Sequence, residues 1–322
     1  MKDAGAPGVT ARRGPLCAPH VRVERLTWRD PLEAFAPFAD EPFALLLLSA
    51  GGPAAGWSYV ARTPDLTDLV MAADLDRDFG RLRQALGWRV PREASGPPFQ
   101  GGVVGLVAYE FADRLEPFGL ARDPDWPDLV LARFHAILAF DHASRTLLAV
   151  GRGASPRASV EAAARAGQWL ERAPPPAPLF TPAAAFTADT SAKAYETAVR
   201  EDEGLKRELV ASAKDRAENL MIVDLMRNDL ARVCEAGSIR APELFAVESY
   251  AAVHHLVSTI TGRLRAECDA ADLLGASFPP GSITGTPKIQ SMKVIAGREG
   301  PRGPWCGSLF WAGSDGAFDS SV

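Results

Sequence analysis

A run of prolines divides the chain into two parts of different character. Between Arg172 and Pro182 the sequence contains Ala-Pro-Pro-Pro-Ala-Pro. Proline removes a backbone donor and fixes φ, so this stretch can be neither helix nor central strand. We therefore predict four regions along the chain: a flexible N-terminus at 1–20, a strand-rich half at 21–171, a proline-rich linker at 172–186, and a second half at 187–322 that carries unusual polar sequences.

The composition excludes several classes of protein. Of the 322 residues, 47% are hydrophobic and 23% are charged, which is typical of a globular protein with a substantial core. The formal net charge of -5 gives no overall attraction to nucleic acid or to an anionic membrane. The longest apolar run, Phe43–Leu48, is far too short to cross a bilayer. The segment Met1–Arg13 also lacks the apolar core of a signal peptide.

The cysteines indicate the compartment. No two of them have CxxC spacing, so the sequence predicts neither a zinc site nor a disulfide framework. We therefore expect a cytoplasmic protein with reduced thiols. The four cysteines are Cys17, Cys234, Cys268 and Cys306.

The first half is predicted to be mainly β-structure. The continuous apolar run Phe43–Ser49 is typical of a buried strand. Gly51-Gly52-Pro53 then interrupts the pattern before a second strand at Gly56–Ala61, and the two strands are predicted to form a hairpin. Further strands are predicted at Gly101–Tyr109, Leu129–Phe140 and Thr146–Val150, with a helix over Ser159–Glu171.

The first of three polar segments in the second half is Leu205–Val233. It consists of good helix formers without Gly or Pro, so it predicts one long helix. Glu218, beside Asn219 in an apolar run, is a candidate metal or substrate ligand. The alternative is a solvated carboxylate with Lys214 or Arg216 as its partner. At about 100° per residue one face mixes acidic and apolar side chains, namely Asp215, Glu218, Ile222, Leu225 and Asp229.

The second segment, Glu248–Gly262, is rich in β-branched residues and predicts a strand. A period of two places His254 and His255 on opposite faces. His255 could act in acid–base chemistry or orient a substrate. The alternative is a core histidine that is hydrogen-bonded to the backbone.

The third segment, Phe278–Gly297, predicts a tight loop that leads into a helix. Gly281 and Gly285 mark the loop, Thr286 is the expected N-cap, and Pro287 belongs to the first turn. A glycine-rich loop at a helix N-terminus offers free amides and a positive dipole to an anion. The alternative is an ordinary capped helix. The inward stripe of the helix is predicted to be Ile289, Met292 and Ile295.

These segments, in this order, resemble the chorismate-utilising enzyme family. Within that family they are most similar to component I of the aminodeoxychorismate synthases, and next to component I of the anthranilate synthases. The resemblance extends from about Pro42 to the end and is weaker in the first half. The matching sequences are AENLMIVDLMRNDLARV, VESYAAVHHLVSTITG, FPPGSITGTPK, RGPWCGSLFW and DGAFD, with LLLLSAGGPAAGWSYVARTP and PFQGGVVGLVAYE in the first half.

The resemblance implies an α+β fold with two stacked sheets in four α/β/β/α layers. It also implies a substrate, chorismate, that carries two carboxylates and is held with Mg²⁺. Trp305 stands where the family usually has a tyrosine, so one hydroxyl contact is missing. The site residues that the resemblance implies are Glu218 as a Mg²⁺ ligand, His255 as the catalytic residue beside the substrate ring, and Gly281, Ser282, Gly285, Thr286 and Trp305 as substrate-binding residues.

The activity that the resemblance implies is amination of chorismate at C4. Ammonia would come from a separate glutaminase subunit, and the product would feed para-aminobenzoate and folate synthesis. In the family, strands that correspond to Phe43–Ala61 hold a tryptophan. The alternatives are an anthranilate synthase component I, or an inactive homologue or fragment that acts as a binding protein.

The sequence departs from the family in two places. Tyr195–Arg200 runs almost directly into the next helix, where the family has a longer segment with a PIKGT lysine, and no PIKGT occurs in the sequence. The sequence ends at Val322, ahead of the family's IRT arginine, its GAG loop and its second metal-binding glutamate. We therefore expect the family fold with an internal deletion and a truncated C-terminus, and a Mg²⁺ site with fewer carboxylates.

Overall fold

The structure is a computed structural model that describes residues 18–49, 56–70, 80–87, 89–173, 192–249 and 253–321. The predicted flexible N-terminus and the proline-rich linker lie almost wholly outside these ranges. In the described part of the chain, no helix combines the length and apolar character that a membrane span requires.

Most of the strands in the described residues lie in the first half, and four more lie in the second. The strands are β1 (His20–Leu26), β2 (Leu45–Leu47), β3 (Trp57–Ala61), β4 (Leu66–Val70), β5 (Gly102–Val107), β6 (Leu129–Phe134), β7 (Ala136–Asp141), β8 (Thr146–Gly153), β9 (Arg240–Ser249), β10 (His254–Thr261), β11 (Ser308–Gly313) and β12 (Phe318–Ser320).

The two longest helices of the described residues follow one another at the start of the second half. The helices are α1 (Pro31–Phe35), α2 (Gly80–Leu86), α3 (Ala112–Leu115), α4 (Pro156–Gln168), α5 (Ala192–Ala211), α6 (Ala213–Ala231), α7 (Ala270–Ser277) and α8 (Lys288–Ala296).

The strands form two antiparallel sheets and a separate ribbon. The first sheet has the order β1-β8-β7-β3-β2, and the second has the order β12-β11-β5-β6-β4. The predicted hairpin is confirmed, because β2 pairs antiparallel with β3 from Leu45 opposite Ala61 to Leu47 opposite Tyr59. Among the described residues, β9 and β10 pair only with each other.

Apolar side chains pack in three places: between the two sheets, and between each sheet and the helices on its outer face. This packing gives four layers in the order helix, sheet, sheet, helix. Tyr59 and Ile137 of the first sheet pack against Val104 and Phe134 of the second. The outer face of the first sheet packs on α1 and α4, and that of the second packs on α2, α7 and α8. The expected α+β fold with two stacked sheets is therefore confirmed.

The predicted strand Leu129–Phe140 is two strands in different sheets. β6 belongs to the second sheet and β7 to the first, and the chain passes between them at His135. Both faces of each strand are buried, so the apolar pattern continues across the change of sheet. The pattern therefore gives no sign of the boundary.

The predicted helix Leu205–Val233 is also interrupted. α5 ends at Ala211, and Ser212 is the N-cap of α6, where its hydroxyl accepts from the backbone N–H of Asp215 at 3.2 Å. Ser is a favoured N-cap residue, whereas the propensity pattern alone shows no break. The sequence reasoning also missed β9, which contains Pro242 and forms an edge of the ribbon, a place where a strand tolerates proline.

The second sheet takes strands from both sides of the proline-rich run. β11 pairs antiparallel with β5 along its whole length, from Ser308 opposite Val107 to Gly313 opposite Gly102. Gly102 has φ +147°, and a Cβ there would lie 2.2 Å from the carbonyl oxygen of Ala312. Only glycine allows the two backbones to approach this closely.

Packing between β8 and α4 gives a test of the fold. A Cβ at Gly151 would lie 2.2 Å from the backbone of both Ser159 and Ala163. We expect Gly151→Ala to lower the free energy of urea unfolding by about 1–3 kcal/mol, because rigid backbone must move. The matched control is Gly167→Ala in α4, where a Cβ would meet only Leu26 at 3.9 Å or more. This substitution is expected to be neutral or stabilising by about 0.5–1 kcal/mol. Equal losses in the two variants would contradict this packing.

Candidate functional site

Helix α6 is attached to β10 by a partly buried polar connection. The Asn219 side-chain amide donates to the carbonyl oxygen of Leu256 at 2.9 Å, and the Ser258 hydroxyl donates to the Asn219 carbonyl oxygen at 2.6 Å. Ser258 also accepts from the backbone N–H of Phe245 in β9 at 3.1 Å. Asn219 therefore fixes α6 against the ribbon, a role that the sequence reasoning did not assign to it.

Glu218, next to Asn219, lies on an exposed part of α6. Its side chain is 61% exposed and lies 3.8 Å from the Lys214 ammonium, one helical turn earlier. This arrangement matches the solvated ion pair that the sequence analysis gave as the alternative. Exposed i,i+4 pairs contribute little to stability.

The described residues form no complete metal site. No group of three His, Cys, Asp or Glu side chains among them could hold a metal ion. Glu218 offers one carboxylate, and the adjacent Lys214 competes for it. Mg²⁺ requires about six oxygen ligands, so the described side chains alone do not fit it.

The two histidines of β10 face opposite sides, as the period of two predicts. His255 is exposed and stands opposite Glu248 of β9. His254 is more enclosed, with Nδ1 2.9 Å from the Ser249 hydroxyl and Nε2 3.1 Å from the Asp202 carboxylate. His254 thus joins α5 to the ribbon, while His255 lies on the exposed side of β10.

The turn before α8 packs against α6. Gly281–Ile283 forms a single 3₁₀ turn, and Gly281 is buried. A Cβ at Gly281 would lie 2.6 Å from Cδ1 of Leu225, so the turn touches the face of α6 that carries Leu225. Ser282 and Thr286 are exposed beside it, and Gly285 has φ +132°.

Two details predicted for α8 were wrong. Pro287, not Thr286, is the N-cap, in an extended conformation and without a side-chain capping bond. Its fixed φ suits this position and leaves Thr286 outside the helix. Ile289 is 45% exposed, so of the predicted inward stripe only Met292 and Ile295 join the core.

A buried ion pair ties α8 to the end of α6. The Lys288 ammonium lies 2.5 Å from the carboxylate of Asp229, whose side chain is 10% exposed. Burial raises the pKa of Asp229, more than the neighbouring Lys288 lowers it. The sequence reasoning placed Asp229 on the face with Leu225 but did not identify Lys288 as its partner, because the two are 59 residues apart.

Trp305 lies in a loop next to this turn. Its side chain is 76% exposed, and its backbone N–H donates to the carbonyl oxygen of Arg302 at 3.2 Å. The Arg302 guanidinium donates to the carbonyl oxygen of Ile283 at 3.2 Å, which joins the loop to the turn. The structure thus brings the predicted turn residues and Trp305 into one region.

A cavity of about 600 Å³ lies elsewhere, at the edge between the two sheets. Tyr59, in its wall, accepts from the backbone N–H of Phe99 at 3.3 Å, and burial raises its pKa. Neither Glu218, His255 nor Ser282 lines this cavity. It is formed partly by the predicted hairpin strands, and tryptophan binding there stays a prediction. The lining includes Leu46, Leu47, Ser49, Trp57, Pro98, Phe310, Trp311, Asp319 and Ser321.

The sequence is similar to those of several known proteins. Residues 199–322 match the family model described as chorismate binding enzyme. The chain is 58% identical over 118 residues to aminodeoxychorismate synthase component 1 of Klebsiella aerogenes, a match that covers 36% of this chain and 26% of that protein. It is 43% identical over 123 residues to anthranilate synthase component 1 of Methanothermobacter thermautotrophicus, which covers 38% and 26% respectively. The match therefore spans about a quarter of the length of these relatives.

Two solved structures share the fold over most of the chain. One is anthranilate synthase component I from Streptococcus pneumoniae, at 22% identity and a TM-score of 0.67, over 93% of this chain and 90% of that one. The other is MenF, the menaquinone-specific isochorismate synthase of Escherichia coli, at 13% identity and a TM-score of 0.54, over 96% of this chain and 86% of that one. The fold extends well beyond residues 199–322.

The pair of Asp229 and Lys288 predicts a specific pH dependence. The pKa of Asp229 is higher in the folded protein than in the unfolded chain. Its contribution to stability is therefore fully present when the pH is below the unfolded pKa, and it is lost as the pH rises through the folded pKa. We therefore expect the stability of the wild type relative to Asp229→Asn, measured by urea unfolding, to be greater near pH 3.5 than near pH 7. Because Lys288 lowers the Asp229 pKa, Lys288→Met should steepen this dependence. A wild-type advantage that grows with pH would contradict the assignment.

Proposed function

Because residues 199–322 match the family model described as chorismate binding enzyme, we propose that the protein acts as component I of an aminodeoxychorismate synthase. It would aminate chorismate at C4 to 4-amino-4-deoxychorismate, with ammonia from a separate glutaminase subunit, for para-aminobenzoate and folate synthesis. A cytoplasmic location belongs to the proposal, as expected for a chain whose thiols stay reduced.

The observation that carries the proposal is the turn at Gly281–Thr286, held between α6, α8 and the Trp305 loop. Leu225 packs on one end of the turn, Lys288 pairs with Asp229 just beyond the other end, and Arg302 bonds to its middle. A turn fixed in this way has a constant geometry, and the side chains of Ser282 and Thr286 are exposed on it. The adjacent N-terminus of α8 adds a positive dipole, which favours a carboxylate of the substrate.

Each proposed site residue has a distinct role. Ser282 and Thr286, with the glycines of the turn, would bind one carboxylate of chorismate. His255 would lie beside the ring, where its imidazole can donate or accept a proton. Trp305 offers an exposed ring face, but its indole cannot replace the hydroxyl of a tyrosine.

The proposed Mg²⁺ would depend on the substrate. Glu218 supplies one carboxylate, and the remaining ligands would be water and the chorismate carboxylate, as Mg²⁺ permits. When bound, the metal would neutralise that carboxylate. Since the described residues do not form a complete site, we expect weak binding of Mg²⁺ in the absence of chorismate.

Two other functions are each favoured by one observation. The similarity to anthranilate synthase component 1 favours an ortho-amination product. The absence of PIKGT from the sequence favours a protein that binds chorismate without turning it over, because the resemblance assigns that lysine the role of nucleophile.

Product analysis distinguishes these three functions. The protein is incubated with chorismate, Mg²⁺ and an ammonium salt, and the products are separated and identified by mass. 4-Amino-4-deoxychorismate supports the proposal, and fluorescent anthranilate supports the first alternative. Binding of chorismate in isothermal titration without either product supports a binding protein. If neither binding nor product is observed, the proposed function is wrong.

The metal role has a separate prediction. We expect Glu218→Gln to reduce the Mg²⁺-dependent gain in chorismate affinity by about tenfold, which is about 1.4 kcal/mol. The matched control is Asp224→Asn, which removes another exposed carboxylate of α6 that is paired with Arg227. Titrations with and without Mg²⁺ measure the gain for each protein. An unchanged gain in Glu218→Gln would remove Glu218 from the metal site.

A further inference from the structure

A buried glutamate of the first half holds the start of the loop that carries Trp305. Glu110 lies directly after β5, in the 3₁₀ turn Tyr109–Phe111, and is 4% exposed. One carboxylate oxygen accepts from the backbone N–H of Arg302 at 2.6 Å, and the other accepts from that of Gly303 at 2.9 Å. A buried carboxylate is costly unless it is hydrogen-bonded, and bonds to a charged acceptor are the stronger ones. These two bonds therefore fix the backbone at the start of the loop.

Arg302 then links the loop to the turn that contains Ser282. Its guanidinium lies 4.3 Å from the centre of the Tyr109 ring and donates to the carbonyl oxygen of Ile283 at 3.2 Å. Its other nitrogens donate to the carboxylate of Glu299 at 2.9 and 3.2 Å. A planar guanidinium held on three sides has a defined orientation. The position of Ile283 therefore depends on the position of Arg302.

Tyr109 completes the connection from the same short segment. Its backbone N–H donates to the carbonyl oxygen of Gly303 at 2.8 Å. Its hydroxyl lies 2.9 Å from Sδ of Met292, in the core of α8. Two consecutive residues, Tyr109 and Glu110, thus touch both the loop and the helix that follows the turn.

We propose that Glu110 and Arg302 are positioning residues of the chorismate site. Glu110 anchors the Trp305 loop to β5, and Arg302 sets the separation between Trp305 and the turn with Ser282. Neither is proposed to touch the substrate. The expected effect on chorismate affinity rests on the proposed function. The coupling between the loop and the turn can be measured whether or not the protein binds chorismate.

The experiment compares Arg302→Met with the matched control Arg298→Met. Met keeps most of the apolar stem of arginine and removes the guanidinium, and Arg298 is exposed a few residues earlier in the chain. Amide hydrogen exchange followed by mass spectrometry is measured for peptides that cover 281–287 and 302–307. We expect about tenfold faster exchange over 281–285 in Arg302→Met, with exchange in β7 and β8 unchanged. Arg298→Met should match the wild type.

A second variant tests the anchor. Glu110→Gln keeps the shape of the side chain, but its amide nitrogen cannot accept from a backbone N–H. We expect about tenfold faster exchange of the 302–303 amides in this variant. If Arg302→Met leaves exchange over 281–285 within about twofold of the wild type, the coupling is absent and the inference is wrong.

Chorismate titration separates this inference from the proposed function. If the wild type binds chorismate, both variants should bind it about tenfold more weakly, while Arg298→Met binds normally. Wild-type affinity in both variants would overturn the positioning role. If the wild type itself does not bind chorismate, the proposed function fails and the chorismate role falls with it. The exchange data then decide the coupling alone.

Discussion

The antiparallel pairing of β5 with β11 is the interaction on which the rest of the structure depends. It joins residues about two hundred positions apart into the centre of the second sheet. Two glycines of β5 make the pairing possible. A side chain at Gly102 would collide with the backbone of Ala312, and one at Gly105 would collide with the ring of Phe310. Phe310 instead fills that space and becomes part of the core under α7 and α8.

This pairing also determines where the candidate site lies. The chain leaves β5 at Val107 and turns directly into Tyr109 and Glu110, while it enters β11 directly after the Trp305 loop. The end of β5 and the start of β11 meet at this edge of the sheet. They bring together Glu110 and the loop that Glu110 holds. A scaffold built from rigid strands positions such loops more accurately than loops can position one another. The first half of the chain thus supports the candidate site, whose polar residues come from the second half.

The region around α5, α6 and the ribbon is packed differently. Among the described residues, β9 and β10 form a sheet of only two strands, and several apolar side chains nearby are exposed. A two-stranded ribbon is marginally stable by itself. Its attachment to the helices therefore relies on polar connections, such as Asn219 to Leu256 and His254 to Asp202. The exposed apolar side chains are Leu205, Val210, Leu220, Met221, Ile222, Leu244 and Val253.

The sequence by itself determined the elements whose signal is local. The hairpin of β2 and β3, the strand β10, the helix α6 and the glycine turn before α8 all follow from periodicity, turn residues and propensity over a few residues. The motifs in these elements also carried the resemblance to the chorismate-utilising enzymes, and with it the expectation of the four-layer fold that the structure has. Only the tertiary structure decided that the apolar run at His135 changes sheets, since both sides are buried and the pattern does not change. It alone decided that Asp229 meets Lys288 and that Glu110 meets Arg302, which lie 59 and 192 residues apart. Such pairs form because the fold removes both groups from water, so that each must find its hydrogen-bonding partner within the protein. No local sequence pattern records which partner that will be.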